Sequence, residues 1–400
     1  MATPGTRPGE RVASGAARRP TAAVGGHPRA RPGRTRGRCM IVRSMEKTLE
    51  LVEPHVPPAL VSPRDWRAFG RCAPALLDAA SVLTLECHLG ATAARVDLLA
   101  CILAEGREVL ASRLPRSRRE DPVAPGGAPP AEGADPLRGP PGRLLAAWTT
   151  PGTLLFEQVP LLWFEFDQPA ARRGPVEPSV LLCLDPRPLT NLEAPEAERD
   201  FSPSGRLRLV EAALSVLLDG PVPVATLAAL LRCFTLLPDG GHAVHLSVMS
   251  ARQPVTLKLN VSLPRDRLVG YLLGVGWPGK PGEVEELLGA LRVDDERVTI
   301  DVTIGDSVAP RLGIELFDLA TRRLDPGRSA TLERLSSLGL CTPSQRDALT
   351  AWPGSSRERC REGEWPSRVR RWIDLKIVLG PDRALLAKAY LGVLRCFSLA

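Results

Sequence analysis

The sequence predicts an α+β fold in which ten antiparallel strands close into a barrel with a polar lumen, wrapped by helices. Three observations carry this. Short segments alternate strictly between apolar and polar residues, as in TLKLNVSL, where Leu257, Leu259, Val261 and Leu263 oppose Thr256, Lys258, Asn260 and Ser262. Such segments recur as five pairs, each preceded by helical sequence, at spacings of roughly 55 to 80 residues, a pattern of ααββ-type repeats. Their polar faces carry charged side chains, which suits a wet interior rather than a packed one.

Pro58 to Ser81 reads as helical, with Ser62-Pro63 at its start. The first pair is VLTLECHLG, with Glu86 and His88 on its polar side, and Arg95 to Leu99, with Arg95 and Asp97 on that side. Helical sequence from Arg143 to Val159, broken at Thr150-Pro151-Gly152, leads to LLWFEFDQ, where Trp163, Glu165 and Asp167 share a face, and to PSVLLCLDP. Two helices then carry the stripes Leu207, Val210, Leu214, Leu217 and Leu227, Leu230, Leu231, Phe234. HAVHLSVM and TLKLNVSL form the third pair, with His245, Ser247, Lys258 and Asn260 on the polar side. Helices at Arg265 to Gly274 and Glu283 to Leu291 precede VTIDVTIG and RLGIELF, whose polar faces hold Thr299, Asp301, Thr303, Arg311 and Glu315. Helices at Ala330 to Leu338, capped by Ser329, and at Ser344 to Trp352, capped by Thr342 with Pro343 at its first position, precede the last pair. That pair is WIDLKIVLG, with Trp372, Asp374 and Lys376 on one face, and LLAKAYLGVL, with Lys388 and Tyr390 on one face.

Ten strands with one apolar face need cover on that face, and the helices supply it. Closure removes the two exposed edges that a flat sheet would leave. The polar faces then line the lumen, where Glu86, Glu165, Lys258, Asp301, Arg311, Glu315, Lys376, Lys388 and Tyr390 converge.

Residues 1–44 are expected to be a disordered tail, and 45–400 a single barrel domain with a Pro/Gly/Arg-rich disordered insertion at about 112–142. The net charge of +7 comes from the tail: residues 1 to 39 hold nine arginines against Glu10, a charge of +8, which leaves the rest at −1. No aromatics interleave these arginines to stack on bases, so nucleic acid is not an expected partner. The tail reads as a leader or as sequence upstream of the true start, for which Met40 and Met45 offer later positions. No apolar run reaches membrane-spanning length, so a soluble, cytoplasmic protein is expected. The nine cysteines show no CxxC spacing and the five histidines no ligand spacing, so reduced, buried thiols are expected and no structural zinc.

A helix-wrapped ten-stranded antiparallel barrel with a solvated lumen resembles the ABBA-type aromatic prenyltransferases, or PT barrels. The resemblance spans roughly Pro58 to Phe397 and is one of repeat architecture, with Lys388-Ala389-Tyr390 similar to that family's Lys-x-Tyr strand pattern. It implies transfer of an isoprenoid from its diphosphate to an aromatic or other electron-rich small molecule or a peptide side chain, in secondary metabolism. It also implies roles: Glu86 or Glu165 as the acid that meets the acceptor, and Lys258, Arg311, Lys376 and Lys388, with Tyr390, around the diphosphate. The family shields its allylic cation with tyrosines. This chain has two, and Tyr271 falls in a helix, so Trp163 and Trp372 are the inward aromatic faces that substitute.

Fixed cations neutralise a diphosphate leaving group without a metal, so no cofactor is required; Asp301 with Asp306 is no convincing Mg²⁺ motif, and metal dependence stays open. The plainer account of the lumen lysines is that they pair with lumen carboxylates such as Asp301, Glu315 and Asp374. A non-catalytic barrel that binds a hydrophobic anion or a precursor peptide is the alternative function. The chain lacks GxSxG, HExxH and kinase signatures, and GVGWPGKPG lacks the Ser or Thr and the strand–loop–helix context of a phosphate loop.

Overall fold

Each strand pair predicted from alternation forms an antiparallel hairpin, and together they close. In a computed structural model, the described residues are 39–41, 45–70, 72, 74–90, 95–113, 139–167, 171, 176–189, 199–218, 220–252, 254–293, 295–316, 326–358, 367–382 and 384–398. Residues 39–400 make one unit. The tail up to residue 38 and most of the expected insertion lie outside the described residues.

The strands are β1 (Cys39–Ile41), β2 (Val82–His88), β3 (Val96–Leu103), β4 (Leu161–Phe166), β5 (Ser179–Cys183), β6 (His242–Met249), β7 (Thr256–Pro264), β8 (Arg297–Ile304), β9 (Val308–Leu316), β10 (Gly354–Glu358), β11 (Ser367–Leu379) and β12 (Leu385–Ser398). β2 to β9 pair in sequence order, β9 pairs with β11, β11 with β12, and β12 with β2, so ten antiparallel strands form a closed barrel. β11 and β12 are longer than the wall they join. Beyond it, β11 pairs with β10 through residues 367–371, and β12 pairs with β1 through 396–398, which covers edges that would otherwise be open. Two of these elements escaped the sequence reading: Cys39–Ile41, placed in the tail, is a strand, and so is Gly354–Glu358.

The helices are α1 (Met45–Val52), α2 (Pro63–Phe69), α3 (Pro74–Ala79), α4 (Arg107–Arg113), α5 (Pro140–Thr149), α6 (Leu154–Gln158), α7 (Pro203–Leu217), α8 (Val224–Thr235), α9 (Leu268–Val275), α10 (Pro281–Ala290), α11 (Pro326–Ser337) and α12 (Pro343–Ala351). Among the described residues three precede β2, three lie between β3 and β4, and two occupy each later crossover. The single helix expected over Pro58 to Ser81 is two, and the expected insertion narrows because α4 runs to Arg113 and α5 begins at Pro140.

Proline and a preceding hydroxyl start several helices. Ser62 accepts from the Asp65 amide, Ser202 from that of Gly205, and Thr342 forms a capping box with Gln345. Ser329, expected ahead of the helix, lies within α11, which begins at Pro326.

The core lies between the outer barrel face and the helices. Leu246, Leu259, Ile300 and Ile314 from the strands pack in one cluster with Leu214, Phe234 and Leu272 from the helices. The largest buried side chains bring their polar atoms to backbone acceptors: Trp148 Nε1 donates to the Val159 carbonyl at 2.8 Å, and Trp352 Nε1 to that of Trp372 at 3.0 Å. Cys72, Cys87, Cys101, Cys183, Cys233 and Cys341 are free and buried, whereas Cys396 is disulfide-bonded, against the expectation of thiols throughout. No helix among the described residues is long and apolar enough to cross a membrane.

Candidate active site in the barrel lumen

Period-two alternation turns every second residue of each barrel strand inward, and these residues surround a cavity of about 190 Å³. A single water needs only about 10–15 Å³ of such space, so the cavity has room for an organic ligand. One part of it is apolar, lined by Val82, Leu99, Trp163, Leu181, Leu189, Trp372 and Leu394. Trp372 Nε1 donates to Asp374 Oδ2 at 3.0 Å. Its indole occupies the space that a side chain would take at Gly392, the residue opposite it on β12: a Cβ there would lie 2.1 Å from the ring. Gly392→Ala is therefore expected to displace the Trp372 ring and cost about 1–3 kcal/mol. A lowered melting temperature with altered tryptophan emission checks this.

The rest of the lining is largely polar, and its lysines and acids pair tightly with one another or with neighbouring side chains. Lys376 Nζ donates to Asp301 Oδ2 and, at 2.9 Å, to Glu315 Oε1. Lys258 Nζ reaches the same Asp301 oxygen at 3.3 Å. Asn260 Nδ2 donates to Glu315 Oε2 at 2.9 Å. Lys388 donates to Glu86, and His88 Nε2 lies 3.6 Å from both Glu86 and Asp97. Arg252 bridges Glu165 at 2.7 Å and Asp167 at 3.1 Å, and Arg95 also meets Asp167 at 3.3 Å. Gly313 on β9 is part of this arrangement, since a Cβ at that position would sit 2.5 Å from Lys376 Cε and block its path.

The protonation states follow from this pairing. Burial pushes the Glu165 carboxyl up to about 8, helped by the neighbouring Glu86 and Asp167 charges and opposed by Arg252. Glu165 and Asp167 share one guanidinium, and Asp167, further supported by Arg95, is the one held below its ordinary value. Glu86 is buried too, yet Lys388 and His88 hold it well below the ordinary carboxylate range. Asp301 is likewise lowered, because Lys258 and Lys376 outweigh its desolvation. Burial lowers Lys258 and brings His245 down to about 4, so that imidazole is neutral at neutral pH.

Two groups of donor atoms lie close enough to share a metal ion: Glu86, His88 and Asp97, and Asp97, Glu165 and Asp167. Their oxygens suit a hard divalent ion. Lys388, Arg95 and Arg252 already sit on these carboxylates, so an ion would have to displace them.

The chain is similar to prenyltransferase PriB in its fold. The apo crystal structure of that protein is 14% identical, with 86% of this chain and 94% of that one covered and a TM-score of 0.46. Its ternary complex with L-tryptophan and dimethylallyl thiolodiphosphate gives 13%, 87%, 94% and 0.46. No family model and no curated protein matches the sequence. At that similarity the lumen residues themselves must carry any functional reading.

Glu86, Glu165, Lys258, Lys376, Tyr390, Trp163 and Trp372, singled out by alternation, all line the cavity. Lys388 is buried behind its Glu86 partner and is not part of the lining. Arg311 is a correction: it is exposed and outside the lumen. It shares a side with Gly313 and Glu315, but the register shifts between Val302 and Ile304, and β9 meets β11 only from Leu312 onward, which leaves Arg311 beyond the closed wall. Arg252 was missed because it lies in the turn between β6 and β7, where no periodicity marks an inward side chain.

Proposed function

We propose that the lumen is the reaction chamber of a cytoplasmic, prenyltransferase-like enzyme of secondary metabolism. It would transfer an isoprenoid from its diphosphate to an aromatic or other electron-rich small molecule or peptide side chain. The observation that carries this reading is the division of one cavity into an indole-lined apolar part and a polar part with two lysines, the buried Lys376 and the half-buried Lys258. An allylic diphosphate has the same two halves.

In this reading Lys258 and Lys376 exchange part of their hold on Asp301 for the diphosphate, with Tyr390 beside them. Lys258 gains most, since burial leaves it below its ordinary value, whereas Asp301 and Glu315 outweigh burial at Lys376. Breakage of the carbon–oxygen bond sends the electron pair to diphosphate and leaves an allylic cation, which the faces of Trp163 and Trp372 stabilise. The acceptor carbon attacks, and its proton passes to an ionised carboxylate. Glu86 suits that role at neutral pH, whereas Glu165 is protonated and donates a hydrogen bond.

The test is diphosphate release from dimethylallyl, geranyl or farnesyl diphosphate with a panel of aromatic acceptors, with and without Mg²⁺. Lys258→Ala and Lys376→Ala are each expected to lower the rate by about a hundredfold or more, with circular dichroism confirming the fold.

A second reading is supported by the pairing itself. The lumen cations among the described residues, Arg95, Arg252, Lys258, Lys376 and Lys388, all sit on carboxylates, and a diphosphate would add negative charge to a site where acids are already in excess. That favours a non-catalytic barrel holding a precursor peptide or an uncharged ligand, and weighs against a hydrophobic anion. Absence of turnover, together with no donor binding by calorimetry, would decide for it.

A further inference from the structure

Three neighbouring strands place unpartnered polar atoms at one level of the lumen. His245 on β6 is directly opposite Asn260 on β7, and Asn260 is opposite Asp301 on β8. Residues so placed have Cβ atoms about 5 Å apart on one face of the sheet, so Asn260 stands between the other two with each as its immediate neighbour. His245 Nε2, Asn260 Oδ1 and Asp301 Oδ1 are each buried and have no hydrogen-bond partner among the described residues. Asn260 and Asp301 are more than nine-tenths buried, at 8% and 7% exposure, and all three residues line the cavity. A buried acceptor without a donor is costly, and a site retains one when a ligand completes it.

The chemistry of the row is set by what its other atoms do. Asn260 turns its amide nitrogen to Glu315, a carboxylate that can only accept, so its oxygen must face the other way. Asp301 gives one oxygen to both Lys258 and Lys376 and keeps the second for the lumen. Two acceptors side by side call for a donor. A cation is a poor candidate, because it would meet the two lysines on the far oxygen of the same carboxylate. An uncharged N–H or O–H is the better match, and the tryptophan-lined remainder of the cavity suits an aromatic ring behind it. The wall is bent to make this row: the register shifts between Ala243 and His245, so the consecutive residues Val244 and His245 both face inward.

We infer that His245, Asn260 and Asp301 form a recognition subsite for an uncharged N–H or O–H group carried on an aromatic ring. This rests on the reading of the lumen as a chamber for an aromatic acceptor, and it takes the orienting role from Glu86 and Glu165. Glu86 is engaged by Lys388 and Glu165 by Arg252, while Asp301 and Asn260 each keep an oxygen for the ligand.

Calorimetric titration of the full chain with indole and with 1-methylindole tests the subsite, since the two share an aromatic body and differ in the N–H. Indole is expected to bind about tenfold tighter. Asn260→Leu is expected to shrink that gap to about threefold or less while 1-methylindole binding persists; should that variant lose its melting transition, His245→Leu, which removes no ion-pair partner, takes its place. Equal binding of the two probes, tighter binding of 1-methylindole, binding of neither, or a gap that survives the substitution overturns the subsite. If indole keeps its advantage while no isoprenoid diphosphate is consumed with any acceptor, prenyl transfer falls and the subsite stands. If diphosphate is consumed and the advantage is missing, the subsite falls alone.

Discussion

Replacing Asp301 by alanine is expected to destabilise the barrel by about 3–5 kcal/mol, the cost of leaving a buried charge without its partner. Asp301 accepts from both Lys258 and Lys376, and Lys376 is 5% exposed. Without Asp301, Lys376 keeps only Glu315, and Lys258 keeps none of the direct partners described above. A Lys258→Met substitution in the same chain removes the stranded cation, so the double variant is expected to recover part of the loss rather than add to it. Urea denaturation of the two single variants and the double variant measures the coupling. Additive losses, or an Asp301→Ala variant as stable as the parent, would show that these charges are solvated and not paired.

Glu165→Gln is expected to gain stability over the parent as pH rises from about 5 to 8. Burial raises the Glu165 carboxyl from its ordinary 4.5 to about 8. Between those values the folded chain holds a proton that the unfolded chain has released, so folding is favoured at the acidic end of the window and loses that advantage as pH rises through 8. One pK unit corresponds to ~1.4 kcal/mol, so the glutamine variant is expected to exceed the parent by on the order of 2–4 kcal/mol above pH 8, with little difference near pH 5. Glutamine still accepts from Arg252, which keeps the geometry. Glu86 and Asp301 act in the opposite sense. Their folded carboxyls titrate below the ordinary range, so their contribution is present at neutral pH and is lost as pH falls through the acid region. His245, brought down from its ordinary 6.5 to about 4, contributes stability that grows as pH rises to 6.5 and so offsets Glu165 up to that point. The parent should therefore decline mainly from about pH 6.5 to 8, and more steeply than the variant. A glutamine variant whose denaturation midpoints follow the parent's across the window contradicts this.

Alternation alone placed the strand centres and told inward from outward residues, because the side-chain period of a strand is a local property. The lining by Glu86, Glu165, Lys258, Lys376, Trp163 and Trp372 was legible for that reason. Cys39–Ile41 is too short to show a period, Arg252 sits in a turn that has none, and Arg311 has the right parity but lies past the point where the wall closes.

Local residue patterns were enough for a helix-wrapped ten-stranded antiparallel barrel with charged residues inside it. Which charge meets which depended on the folded barrel. Lys376 and Asp301 are 75 residues apart and Lys388 and Glu86 are 302 apart, and their pairing depends on the stagger of strands around a closed barrel. No local pattern encodes that stagger. It sets the lumen lysines in a compensated network, as the plainer account of them expected, and it leaves the unpartnered oxygens of Asn260 and Asp301 as the atoms that a ligand would find.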